Sequence, residues 1–115
     1  CSVPDLIRLY RGARGFFLVS LYEGFGLPLL EAMSFGCPAC YGVGSSMDEV
    51  AGDTGLAVRP DDHDAIVAAM RTFWGDGSCR ETYGKPEQVR AASFTWQETA
   101  RQTLAAYRRA LAHAE

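Results

Sequence analysis

Phe16-Phe17-Leu18-Val19-Ser20-Leu21-Tyr22-Glu23-Gly24-Phe25-Gly26-Leu27-Pro28-Leu29-Leu30-Glu31 is the stretch on which the fold turns. An uninterrupted apolar run stops at a polar, glycine-rich turn, which leads directly into a helical pattern. The order is strand, ligand loop, helix start. Glycines let a backbone approach a ligand closely, and a helix N-terminus offers unpaired N–H groups carrying partial positive charge, so phosphate is the natural guest. Glu23 and Glu31 stand on either side of the glycines, and carboxylates repel phosphate. They are therefore expected to accept hydrogen bonds from neutral hydroxyls lying beside it. Phosphate in the middle with hydroxyls on both sides describes a sugar nucleotide.

Working outward, residues 3–13 place Val3, Leu6, Ile7 and Tyr10 at the i, i+3, i+4, i+7 spacing of one helical face, with Gly15 closing the helix. Residues 16–20 read as a strand buried on both faces, as in a parallel sheet. Beyond the loop, Leu27, Leu30 and Met33 with Leu29 and Ala32 predict a helix from Gly26 or Leu27 to Gly36, Pro28 being tolerated in its first turn. Residues 38–42 follow as a second strand. Ser46-Met47-Asp48-Glu49 resembles a capping box opening a short helix, and residues 56–58 form a third strand stopped by Pro60. Asp61 or Asp62 caps a helix containing Ala65, Ile66, Ala69, Met70 and Phe73. Residues 79–92 read as helix broken by a turn at Gly84 and Pro86, and residues 95–112 as a long terminal helix. Trp74, Trp96 and Tyr107 are expected to anchor the packing of these last helices.

This alternation predicts an α/β fold, a partial Rossmann-like parallel sheet of about three strands with flanking helices. Three strands make half of a doubly wound sheet, and one edge then awaits the strands of a missing half. The chain also opens on Cys1 and runs almost at once into a helix. Residues 1–115 are accordingly expected to be a single domain fragment of a longer protein.

The 115 residues carry a net charge of −3, which gives no general attraction to nucleic acid or anionic lipid, so an anion must be held by local geometry. No apolar run approaches the roughly 18 to 20 residues of a membrane span, and residues 1–15 do not read as the basic, apolar and small-residue sections of a signal peptide. The expected compartment is the cytoplasm, with the full-length protein free to lie peripherally at a membrane. Four cysteines, Cys1, Cys37, Cys40 and Cys79, are expected as free thiols. Cys37-Pro38-Ala39-Cys40 has C-x-x-C spacing, but a thioredoxin-type pair sits where a strand hands over to a helix, and here the helix comes first. His63 and His113 stand apart, and no D-x-D carboxylate pair is read in the chain. No metal site and no cofactor are predicted.

Residues 20–33 as they stand, with Gly36-Cys37-Pro38, Asp48-Glu49-Val50-Ala51-Gly52-Asp53 and Leu56-Ala57-Val58-Arg59-Pro60-Asp61, resemble the C-terminal domain of family-four retaining glycosyltransferases of the GT-B fold. The resemblance covers nearly the whole chain. Its core is the E-x7-E element, met by Glu23 and Glu31 with the G-F-G-x-P insert intact. It implies a domain that binds the nucleotide half of a UDP-, GDP- or ADP-sugar donor. Glu31 matches the glutamate on the ribose hydroxyls, and Glu23 the catalytic-site glutamate directed at the transferred sugar. Gly24, Phe25, Gly26 and Leu27 match the loop and helix start whose N–H groups face the sugar and the diphosphate. The resemblance further implies that the acceptor, whether glycan, lipid or small molecule, is bound by an N-terminal domain of the same protein. Basic diphosphate-binding residues are expected from an upstream strand and loop, so this chain alone should be inactive. Cys37 departs from the family's usual threonine or other small residue.

Two other classes remain. A nicotinamide or other nucleotide binder would use Gly24 and Gly26 as a dinucleotide turn, but Leu29 occupies the place of the third glycine of G-x-G-x-x-G. An interaction module without catalysis is the other. Arg8, Arg11 and Arg14 read as a solvated helix face, and His63 as a residue beside a cap.

Overall fold

Three short parallel strands, β1 (Phe16–Leu18), β2 (Ala39–Gly42) and β3 (Leu56–Val58), lie side by side in that order at the centre of the computed structural model, which describes residues 1–75 and 77–114. Phe16 stands opposite Ala39 and Leu18 opposite Tyr41, while Cys40 faces Leu56 and Gly42 faces Val58. The helices are α1 (Val3–Gly12), α2 (Leu27–Ser34), α3 (Met47–Ala51), α4 (His63–Gly75), α5 (Lys85–Ala91) and α6 (Trp96–His113), with a π-helical turn at Arg80–Gly84. The α/β parallel sheet expected from the sequence is the fold observed.

Alternation along the strands divides the core into two layers. Phe16, Leu18, Ala39 and Tyr41 pack with Leu29 and Met33 of α2, Met47 and Val50 of α3, and Ala91 of α5. Phe17, Val19, Cys40, Leu56 and Val58 turn the other way, onto Ile66, Ala69 and Phe73 of α4 with Cys79 and Tyr83. Only the central β2 is buried throughout; β1, expected to be buried on both faces, is half-buried, and Ala57 of β3 is exposed, because these two strands form the edges of the sheet. A third cluster joins α1 to α2 through Tyr10, Ala32 and Cys37.

Four local expectations need correction. β1 ends at Leu18 and not at Ser20. The chain there crosses β2 closely, and a Cβ at Gly42 would stand 2.8 Å from the Ser20 carbonyl and 2.8 Å from Pro60. Ser46 does not cap α3 with its side chain, because its backbone is already helical and its hydroxyl is used elsewhere. A capping box does form, but at Ser2 and Asp5 of α1. Residues 79–92 contain no turn at Gly84, whose φ of −64° is helical and carries the π turn directly into α5. Trp96 and Tyr107 anchor nothing here, being 86% and 65% exposed on a helix without a buried residue. Trp74 is also largely exposed, with the Arg14 guanidinium 5.2 Å over its ring and donating to its carbonyl at 2.7 Å. Among the described residues no helix is long and apolar enough to cross a membrane.

Candidate functional site

Parallel α/β sheets take ligands at the carboxyl ends of their strands. The loop after β1, residues 19–26, emerges at that edge beside the loop after β2, residues 43–46. The two are joined directly: the Ser46 hydroxyl donates to the Glu23 carbonyl at 3.1 Å. Ser45 and Asp48 hold the second loop in shape, Ser45 Oγ accepting from the Met47 amide at 3.3 Å and Asp48 Oδ2 from the Gly44 amide at 2.8 Å.

Glu23 is half-buried, and its Oε1 accepts from the Ser20 hydroxyl at 2.8 Å. That bond spans three residues and pins the carboxylate at the mouth of the loop. Gly24 and Phe25 are exposed, and Gly26 closes the loop in the left-handed region at φ +84°, the conformation that favours glycine. A Cβ at Gly26 would also press on Met47 at 3.0 Å. The Gly26 carbonyl accepts from the Leu29 and Leu30 amides and so starts α2. Gly26 itself provides no side-chain cap. Consequently the N–H groups of Gly24, Phe25, Gly26 and Leu27 donate to no other group among the described residues. A positive helix end with unengaged donors is what an anion requires.

Glu31 lies one turn further along α2, four residues or roughly 6 Å along the axis from Leu27. It is exposed, and its Oε2 accepts from the Tyr10 hydroxyl of α1 at 3.1 Å. Burial, and then the neighbouring Glu31, push Tyr10 up to about 12, so at neutral pH it stays protonated and donates. One carboxylate oxygen is thereby oriented and Oε1 remains for another donor. The structure thus keeps Glu23, Gly24, Phe25, Gly26 and Leu27 contiguous at the head of α2, with Glu31 on the same short helix.

Ser20, Ser46 and Tyr10, which orient these groups, were not legible as site residues in the sequence. Ser20 stands three residues before Glu23, a spacing that in hindsight allows the bond; Ser46 acts across the sheet edge, and Tyr10 carries only the signal of a core-facing helix residue. The C-x-x-C thiols are separated: Cys37 joins the α1–α2 cluster and Cys40 the α4 layer, and burial raises both to about 11, which leaves them as neutral thiols. Asp62 and Asp64 do stand at D-x-D spacing, contrary to expectation. Asp62, however, caps the start of α4 by accepting from the Ala65 amide at 3.0 Å, and no group of three metal-ligating side chains gathers among the described residues. An open apolar hollow of about 490 Å³ between β1 and α4, lined by Phe17, Phe73 and Trp74, contains no residue of the loop.

Residues 1–90 match the family model of glycosyl transferases group 1. The chain is 44% identical over 104 residues to O-antigen chain mannosyltransferase B of Escherichia coli, covering 90% of this chain and 27% of that protein. It is 39% identical over 109 residues to a D-inositol 3-phosphate glycosyltransferase of Kribbella flavida, covering 93% and 26%. Among solved structures, sucrose-phosphate synthase from Thermosynechococcus elongatus superposes with a TM-score of 0.75 at 29% identity, over 95% of this chain and 28% of that one. The chain therefore spans little more than a quarter of the length of these proteins, and the fold agrees with the GT-B expectation. The family match takes in all three strands, both loops and the whole of α2, and on that ground the chain belongs to the glycosyl transferases group 1 family.

Proposed function

We propose that the intact protein transfers a hexose from a nucleotide-diphosphate-sugar to an acceptor with retention, and that this chain is the C-terminal, donor-holding part of a family-four enzyme. The observation that carries the reading is the set of four unengaged amides at Gly24 to Leu27, flanked by two carboxylates already oriented by neighbouring hydroxyls. In this reading the amides and the head of α2 take the negative charge that grows on the diphosphate as the bond from the sugar's anomeric carbon to phosphate oxygen breaks. The nucleoside diphosphate leaves with that electron pair, and the acceptor hydroxyl oxygen bonds to the anomeric carbon while its proton passes to the departing phosphate oxygen. Glu23 accepts from hydroxyls of the transferred sugar, and Glu31 Oε1 from the ribose. The acceptor and the basic diphosphate ligands come from the remainder of the protein, an N-terminal domain included, in the cytoplasm.

Calorimetry of the intact protein against UDP-, GDP- and ADP-sugars tests this directly. Mannose donors come first, since O-antigen chain mannosyltransferase B is among the relatives. Glu31→Ala should weaken donor binding by about 1 to 3 kcal/mol, because the ribose loses an acceptor. Glu23→Gln should impair turnover or sugar choice more than binding of the bare nucleoside diphosphate. Unchanged donor affinity in Glu31→Ala, or equal loss of both ligands in Glu23→Gln, contradicts the assigned roles.

A further inference from the structure

The donor loop is enclosed by a ring of contacts that returns to it through the far end of the chain. Ser46, at the head of α3, donates to the Glu23 carbonyl. At the other end of α3 the Arg90 guanidinium donates to the carbonyls of Glu49, at 2.6 Å, and Val50, at 3.2 Å. Gly52, at φ +62°, leaves the room for this: a Cβ there would stand 3.0 Å from Arg90 Nε. The same guanidinium lies 5.1 Å over the Phe94 ring, and Phe94 meets Phe25 edge to face, with centroids 6.3 Å apart and planes at 74°. Phe25 is two residues from Glu23, so the circuit closes. Phe94 also sits in the junction between α5 and α6, its amide donating to Ala91.

We propose that Phe94 and Arg90 are positioning residues for the donor loop, and that they tie its backbone to the point where α6 leaves the domain. The inference rests on the donor-binding role proposed for Gly24 to Leu27. Phe25 is 47% exposed, and its one aromatic contact among the described residues is the edge-to-face pair with Phe94, whose attraction beyond area burial is enough to bias a short loop between conformers. Arg90 makes the junction rigid by gripping α3 and stacking on Phe94 together. Lysine has no planar fork with which to do both.

Two measurements on the intact protein separate this from the parent reading. The first is hydrogen exchange of the Leu29 and Leu30 amides, which report on the Gly26 carbonyl that receives them and need no ligand. Phe94→Ala and Arg90→Lys should speed it about tenfold while strand amides stay protected; Phe94→Tyr, which keeps the aromatic ring, and Val89→Ala, an exposed neighbour, should leave it unchanged. The second is donor kinetics, in which Phe94→Ala should lower kcat on the order of tenfold to a hundredfold, with KM moving less and Phe94→Tyr restoring the rate. Unaltered Leu29 and Leu30 exchange in Phe94→Ala overturns the inference whatever the donor does. Faster exchange with unaltered kinetics overturns the positioning role. A wild-type protein that takes no nucleotide sugar defeats the parent reading and the donor role with it, and in that event the exchange result still decides the brace.

Discussion

Glu87 is wholly buried in α5, with one oxygen accepting from the Ala39 amide at 3.0 Å and Oε2 without a partner. Burial pushes its carboxyl up to about 8 from an ordinary 4.5, against the smaller opposing pull of the Ala39 hydrogen bond. Between those values the folded chain holds a proton that the unfolded chain has released, so stability is fully present below about 4.5 and declines as pH rises through about 8. The decline should be on the order of a few kcal/mol, and Glu87→Gln, which keeps the acceptor for Ala39, should flatten it. Urea unfolding of both proteins at pH 5, 6.5 and 8 checks this; parallel slopes would remove Glu87 as the cause. Nothing in the sequence marked this residue, because a glutamate in a polar helical stretch is ordinarily solvated and only the packing of α5 on α2 and α3 buries it. Glu31 shows the opposite case. Its spacing from Glu23 was legible, whereas the Tyr10 hydroxyl that orients it was not, since that bond spans 21 residues.

Elements were legible where hydrophobic period decided them. The three strands and α2 followed from apolar runs and i, i+3 spacing, because strand side chains pack against helices on both faces of the sheet. Elements set by backbone contact at long range were not. The π turn at Arg80–Gly84 is one: it ends where Gly84 approaches Gly36, and an added Cβ would collide with the Gly36 carbonyl. Backbone cannot yield as a flexible side chain does. Gly84→Ala should therefore destabilise by about 1 to 3 kcal/mol despite the better helix propensity of alanine. Gly12→Ala, at a helix position with nothing within 4 Å of the new methyl, should be neutral or slightly stabilising. Thermal unfolding of the two variants decides it, and a Gly84→Ala protein as stable as Gly12→Ala would show that the two segments separate without cost. The misplaced capping box has a similar origin: S-x-x-E spacing fits residues 46–49, but tertiary contact with Glu23 takes the Ser46 hydroxyl.

At the scale of the molecule, one side chain joins parts that the sheet does not. Arg80 donates to the carbonyls of Tyr10, Arg11 and Ala13 at the end of α1, and to those of Phe35 and Gly36 after α2. Helix C-termini leave carbonyls unsatisfied and carry partial negative charge, so a planar guanidinium placed between two of them satisfies both together. The consequence reaches the site, because α1 carries Tyr10 and α2 carries Glu31. Arg80→Ala should destabilise the protein by about 2 to 4 kcal/mol, through several partly buried carbonyls losing a charged donor. Arg80→Lys should recover less than half of this, since a compact ammonium with three donors cannot serve five acceptors. On the donor role proposed for Glu31, both should also weaken donor binding by loosening Tyr10 from Glu31, and Tyr10→Phe in the wild-type background should reproduce that binding loss with less change in stability. Denaturant unfolding paired with donor calorimetry makes the comparison. If Arg80→Lys matches wild type in both, the guanidinium is a surface cation that happens to lie near two helix ends, and α1 is held to α2 by the packing of Tyr10 with Ala32, Cys37 and Phe35 and by its hydrogen bond to Glu31.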